Sequence, residues 1–253
     1  MTRTPMTRTV AIMQPYLLPW IGYFQLMAAA DHFLIYDDVT FIKGGYINRN
    51  TLLTRQGRQP FTLPVAGISP NRAIADHRLA AGPKKLLRSI EVAYGRAPCF
   101  EQIMPILTDA LGGPDACPGG DLGAFLARQL RVLADALGLT ARPGWQITRS
   151  SALADDKAHR DRRAADRVLA LTRDLNGDHY VNAPGGRALY DPATFHAAGV
   201  RLSFLESTPR PWPQWNSDAP FDPYLSIIDP LMFTGLTGTR ARLADYHLDT
   251  PSA

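Results

Sequence analysis

Cysteine is scarce in this sequence. Its 253 residues hold two, Cys99 and Cys117, too few for a disulfide framework and without the paired spacing of a zinc site. Neither has a histidine near it in the chain, so thiol catalysis is not expected. No His, Cys, Asp or Glu group has ligand spacing, so no metal site is expected. Long apolar runs are also missing: none approaches the roughly 20 residues that span a bilayer. The first nine residues are polar, carry Arg3 and Arg8, and lead into no apolar segment of the kind a secretory leader needs. Met6 opens a second start-like Met-Thr-Arg-Thr. The expected location is the cytoplasm, with no membrane partner.

Charge is close to balance, with 27 Lys and Arg against 23 Asp and Glu, a net of +4. The excess is arginine, spread through residues 149–173 and 55–72. It would suit an anionic partner such as a nucleotide, a carrier-protein phosphopantetheine or tRNA, and a GC-rich genome produces the same bias. A hydrophobic share of 45% with 20% charged residues is that of a chain able to bury a core.

The apolar pattern places a strand at 9–13, stopped by Gln14-Pro15, a helix at 20–30 with Ile21, Phe24, Met27 and Ala30 on helical spacing, and a strand at 32–36. Strand, helix, strand in about 30 residues reads as a parallel βαβ unit. Residues 61–65 read as a further strand near an edge, because Pro60 and Pro64 bound it. Helices follow at 84–94, 100–111 and 122–137. The last part alternates strand 145–147, helix 156–176, strand 179–181, helix 192–198 and strand 201–205. The expected fold is α/β: a parallel sheet with flanking helices, fed by both ends of the chain. The expected organisation is one domain over 1–253, with 82–140 as a helical insertion.

Chemistry concentrates between residues 14 and 50. Ligands of open parallel sheets bind beyond the carboxyl ends of strands, where Gln14, Tyr16 and Tyr23 follow the first strand and offer hydrogen bonds. The second strand runs into Tyr36-Asp37-Asp38. Adjacent residues of a strand face opposite ways, so one carboxylate is expected to face a ligand as general base or amine clamp. Then come Lys43, Asn48, Arg49 and Asn50, cations and amides flanking Gly44-Gly45. Each of these motifs also has a plain structural reading: a rigid turn, a helix cap, a solvated loop. His179, next to Asp178 at a strand start, is the histidine best suited to acid–base work.

Met13-Gln14-Pro15-Tyr16, Gly22-Tyr23-Phe24, Tyr36-Asp37-Asp38-Val39 and Asn48-Arg49-Asn50 together resemble the opening signature of the WbqC-like family. The resemblance continues at Ser150-Ser151 with Lys157, at Asp178-His179-Tyr180, at Gly185-Gly186 with Tyr190, and at Gln214, Phe221 and 225–229. It covers about residues 9–235. Trp20, Trp215 and Pro230 depart from it, and Gly44-Gly45 replaces a more basic pair. The resemblance implies a transferase that acylates or aminoacylates an amino group in O-antigen or natural-product biosynthesis, with Gln214 among the substrate-binding side chains. Asp37 or Asp38 would take the ammonium proton, and Gln14, Asn48 and Arg49 would hold the donor.

A fainter resemblance is to the nucleotidyltransferase-like (Rossmann-like) α/β fold. There a His-x-Gly-His motif lies near ATP phosphates; Trp20-Ile21-Gly22-Tyr23 keeps only the glycine. Ser150-Ser151 with Lys157 would stand where that fold keeps its phosphate-binding Ser/Lys segment. The alternatives to amide transfer are therefore a nucleotide-dependent ligase, with Lys43, Arg49 and Lys157 on phosphates, and a non-catalytic nucleotide-sugar-binding protein. The ligands implied are an acyl thioester (phosphopantetheine) or a nucleotide, with a small-molecule substrate and a carrier protein or aminoacyl-tRNA as donor.

Overall fold

The computed structural model describes residues 7–113, 119–153, 164–215 and 219–252. Strands β1 (Thr9–Met13) and β2 (His32–Ile35) pair in parallel around helix α1 (Ile21–Ala29), as the apolar spacing requires. The chain then leaves the sheet. It makes a hairpin of β3 (Arg49–Thr54) and β4 (Gly57–Thr62), a short ribbon of β5 (Val65–Ala66) with β6 (Arg78–Leu79), and the helices α2 (Lys84–Tyr94), α3 (Phe100–Ala110) and α4 (Leu122–Ala136). It returns with β7 (Gln146–Arg149), α5 (Ala164–Asp174), β8 (His179–Asn182), α6 (Pro192–Ala197) and β9 (Arg201–Ser207), and closes on α7 (Ile228–Ala241) and β10 (Tyr246–Asp249).

The six-stranded sheet runs β10-β9-β8-β1-β2-β7. All neighbouring pairs are parallel except β10 with β9, which is antiparallel. The expected parallel sheet is thus mixed: a strand that follows β9 through α7 and returns beside it from the opposite end must run antiparallel. The strand expected at 61–65 lies outside this sheet. Pro64 cannot donate to a ladder, so residues to either side of it join two separate two-stranded ribbons.

Side chains alternate across the sheet as strand geometry demands. Ala11, Phe33 and Ile35 enter one core with α1, α3, α4 and α7. Val10, Ile12 and Leu34 enter a second core with Val168 and Leu171 of α5 and Phe195 of α6. The chain goes one way from β1 to β2 and β7, and the other way to β8 and β9. The order reverses between β1 and β8, and the segments that leave those two strands diverge to opposite faces: α1 into the first core, α6 into the second. Such a switch point opens a crevice at the carboxyl ends.

Among the described residues, no helix is long and apolar enough to cross a membrane.

Candidate functional site

The loop after β1 is held in an uncommon shape. Leu18 has φ of 44°, a region that bulky side chains rarely enter and that costs about 1–3 kcal/mol. The surroundings fix it from three directions. Its N–H donates to Gln129 Oε1 (2.9 Å), and its carbonyl accepts from Asn50 Nδ2 (2.8 Å) and Ser226 Oγ (2.8 Å). Asn50 also donates to the Leu17 carbonyl at 3.0 Å. The dense polar stretch at Asn48–Asn50 is therefore spent on backbone. Asn48 donates to the Leu63 carbonyl (2.9 Å), and the Arg49 guanidinium caps the carbonyls of Gly44 and Gly45. Lys43 is exposed in the loop before β3.

Asp37 and Asp38 follow β2 and meet the end of β7, because Ile35 is in register with Arg149. Asp37 is fully buried. It accepts from Arg149 Nε (2.5 Å), Ser151 Oγ (2.9 Å) and the Ser151 N–H (3.0 Å), and Ser150 Oγ stands 3.3 Å away. The Asp38 side chain is 2% exposed and pairs with Arg167 and with Ser150 Oγ at 2.5 Å. Arg167 in turn lies over the Tyr36 ring, 4.9 Å from its centroid. Gly123 packs so tightly here that a Cβ would stand 2.8 Å from both Asp37 Oδ2 and the Arg149 guanidinium. Strand alternation does send the two carboxylates different ways, but each ends in a buried ion pair that proton abstraction would break.

His179 is not brought to these residues either. It is in register with Thr9 and Arg201 at the amino ends of the parallel strands, a full strand length from the carboxyl ends. Its Nε2 lies 2.8 Å from Ser203 Oγ, and burial lowers its pKa to about 4, with Arg201 adding to the shift. Gln214 is tied up as well, donating to the Asp222 carbonyl (2.9 Å) and to Asp229 Oδ2 (2.8 Å). The buried Asp229 also accepts from Trp212 Nε1 (2.7 Å) and Tyr94 Oη (3.0 Å), and desolvation raises its pKa to about 6. Lys157 lies outside the described residues.

The switch point does hold open space. A crevice of about 420 Å³ lies at the carboxyl ends of β1, β8 and β9. Its walls include Tyr23 and Trp20 from α1 and its approach, Glu206 and Ser207 from the end of β9, and Tyr224. The Trp20 and Tyr224 rings are 5.2 Å apart. Trp20 folds back over Gly22, where a Cβ would stand 2.3 Å from the indole; the glycine admits a ring rather than a ligand. Glu206 pairs with Arg187 (2.5 Å) and with His247 Nε2 (3.1 Å). The Ser207 hydroxyl is buried with no hydrogen-bond partner among the described residues.

Three of the expected substrate contacts stand at this crevice or beside it. Tyr23 lines it and donates to the Gln14 carbonyl at 2.9 Å. The Tyr16 ring lies 5.7 Å from Tyr23 and 5.7 Å from Tyr46. Burial raises the pKa of both Tyr16 and Tyr23 above the usual phenol value, so each stays a neutral donor. The Gln14 side chain is half-buried. Sequence reasoning missed Glu206, Ser207 and Tyr224. The first two follow a legible strand at its carboxyl end, and the rule that picked out Gln14 would have found them.

No solved structure matches the chain. The uncharacterized protein Rv1507c of Mycobacterium tuberculosis (strain ATCC 25618 / H37Rv) is 29% identical over 235 residues, covering 90% of this chain and 94% of its own length. The model of the WbqC-like protein family matches residues 14–241, nearly the whole of the chain, and the protein belongs to that family.

Proposed function

We propose that the protein is an acyl or aminoacyl transferase that forms an amide on an amino-bearing small molecule, an amino sugar or an amino acid, in a biosynthetic pathway. The observation that carries this reading is the crevice at the switch point, which combines aromatic rings with one carboxylate. A sugar ring or an aliphatic stem stacks on Trp20 and Tyr224, and an ammonium group is attracted both to such ring faces and to Glu206. The unpartnered Ser207 hydroxyl supplies a hydrogen bond that a ligand hydroxyl satisfies. In the reaction the ammonium gives one proton to Glu206, and the free amine attacks the carbonyl carbon of an ester or thioester donor. The C–N bond forms, the C–O or C–S bond breaks, the departing alkoxide or thiolate takes the second proton from the attacking nitrogen, and Glu206 releases the first to solvent. Tyr16, Tyr23 and Gln14 border the acceptor. Asp37 and Asp38 act through the ion pairs that hold the end of β2 to β7 and to α5. The reading takes the chain as one domain with 82–140 inserted, acting in the cytoplasm, and the donor as a thioester on a carrier or an ester on tRNA.

A nucleotide-dependent ligase is the second reading, and the order of the five parallel strands favours it: β7-β2-β1-β8-β9 follows the doubly wound order of dinucleotide-binding sheets. The crevice wall argues against phosphates, since among the described residues its ionisable groups are Glu206 and tyrosines, with no Lys or Arg.

The test is amide formation from amino-sugar nucleotides and amino acids, with acyl and aminoacyl thioesters and esters, followed by mass spectrometry with and without ATP. Product without ATP is expected. An absolute ATP requirement would move the assignment to the ligase, and binding without turnover would leave a binding protein.

A further inference from the structure

The modest net charge of the chain conceals a strong internal asymmetry. Residues 43–96 carry ten Lys or Arg and two Asp or Glu, a net of +8, so the remainder of a +4 chain sums to −4. This segment is the β3–β4 hairpin, the β5–β6 ribbon and α2. A field of one sign on one part of a surface attracts a polyanion.

Within it lies a groove of about 490 Å³ between the hairpin turn and the C-terminal end of α2. Arg55, Gln56 and Gln59 wall it on the hairpin side, Arg96 and Glu91 on the helix side, and Trp215 stands at its edge. The Glu91 carboxylate is paired with Arg88 at 2.9 Å, while Arg55, Gln56, Gln59 and Arg96 are exposed. The Trp215 ring is fixed: its Nε1 donates to the Ala93 carbonyl at 3.0 Å, and it packs T-shaped with Phe233, ring centroids 4.9 Å apart. The Arg55 guanidinium lies 4.8 Å from its centroid. An anchored ring with a stacked guanidinium, a second arginine and two amides is the recognition chemistry of unpaired bases and their phosphates. An acidic protein face would use the cations but has no use for the ring or the amides.

We propose that this groove binds the unpaired end of a nucleic-acid strand: a base takes the place of the Arg55 guanidinium on the Trp215 ring, Arg55 and Arg96 hold phosphates, and Gln56 and Gln59 reach base edges. From Arg58, next to Gln59 of the groove wall on β4, a short chain of contacts leads to the crevice. Arg58 pairs with Asp222 at 2.6 Å, Asp222 Oδ1 accepts from the Tyr224 N–H at 3.1 Å, and the Tyr224 ring faces Trp20. Binding stands without the transferase reading. Only the role of the strand rests on it: an RNA with an amino acid esterified at its 3′ end would then present the donor to the crevice.

The experiment uses uncharged oligonucleotides, so that it is independent of turnover. Fluorescence anisotropy of the full chain is measured with single-stranded RNA, single-stranded DNA, an RNA duplex, and a fluorescently labelled acyl carrier protein as the acidic-protein arm. Single strands are expected to bind better than duplex, and the RNA and DNA arms tell the two sources apart. Arg55→Ala with Arg96→Ala should weaken binding at least about tenfold and flatten the log–log salt slope by about 1.4, two contacts at about 0.7 each. Trp215→Ala should cost about tenfold or more, with Trp215→Phe retaining most of the affinity, since one stacked base is worth roughly 5- to 150-fold. Arg131→Ala with Arg173→Ala removes the same charge elsewhere and should leave affinity within about twofold. Equal losses in the two double variants, tighter binding of duplex, or binding of the carrier protein without any single strand would each overturn the proposal.

Discussion

Replacing Asp37 by asparagine separates a structural carboxylate from a catalytic one. The side chain is fully buried and accepts from Arg149 Nε at 2.5 Å, from Ser151 Oγ at 2.9 Å and from the Ser151 N–H at 3.0 Å. Asparagine keeps the volume but turns one acceptor into a donor. Either Arg149 or the Ser151 N–H then faces an NH₂ group. Removing one partner of a buried pair costs about 3–5 kcal/mol. The low end applies here, because Arg149 is 19% exposed and has Asp121 at 3.5 Å as a second partner. A loss of about 3 kcal/mol lowers the melting temperature of a chain this size by roughly 6–12 °C. The assay is thermal unfolding beside ligand binding at a temperature where the variant is folded. The expected result is a large fall in Tm with nearly unchanged affinity at the crevice. A variant with wild-type Tm and a turnover reduced 100-fold or more would refute the reasoning and return Asp37 to the chemistry.

Two further outcomes follow from the same geometry. Glu206→Gln should weaken binding of an amino-bearing ligand about tenfold or more while moving Tm little, because its pairs with Arg187 and His247 are exposed and such bridges contribute about 0–1 kcal/mol; unchanged affinity in calorimetry would remove Glu206 from the site. Acidification from pH 7 to 5 should destabilise the fold. His32 and His179 both have pKa values lowered to about 4 from 6.5 by burial, so their stability is full above about 6.5 and is lost as pH falls toward 4. Asp229, raised to about 6, works the other way: its contribution is full below about 4 and lost as pH rises through 6. At about 1.4 kcal/mol per pH unit, the two histidines lose about 4 kcal/mol together by pH 5 and Asp229 returns about 1.5. His179→Gln should shrink the acid loss by about 2 kcal/mol in denaturant titrations at the two pH values, and an unchanged loss would show that its pKa is not depressed.

The sheet was legible because its strands are short apolar runs fenced by Pro, Gly and Asp, and because β1, α1 and β2 follow one another at the spacing of a crossover unit. The hairpin was not. Strand β4 reads Gly-Arg-Gln-Pro-Phe-Thr with one buried residue, and it carries too little apolar alternation to declare itself. Missing the hairpin left Asn48, Arg49 and Asn50 looking like a ligand loop, although each serves backbone groups of its own or a neighbouring segment. The fates of Asp37 and Asp38 were hidden for another reason. Their partners Arg149 and Arg167 lie 112 and 129 residues further along the chain; the β2–β7 register brings up the first, and the packing of α5 on the sheet brings up the second.

That register also explains why chemistry and charge part company at the carboxyl ends of this sheet. Between β2 and β7 the two loops meet directly, and α4 closes over them at Gly123, so Asp37 and Asp38 are taken up by Arg149 and Arg167. Between β1 and β8 the segments diverge to opposite faces, so among the described residues no element covers the ends and the crevice stays open. Acidic residues in the first place hold the fold, and an acidic residue in the second, Glu206, remains within reach of a ligand. The contrast is testable in a single pair of variants: Asp37→Asn should read out in Tm and Glu206→Gln in affinity. Exchange of those two readouts would mean that the working site of this protein lies at the end of β2.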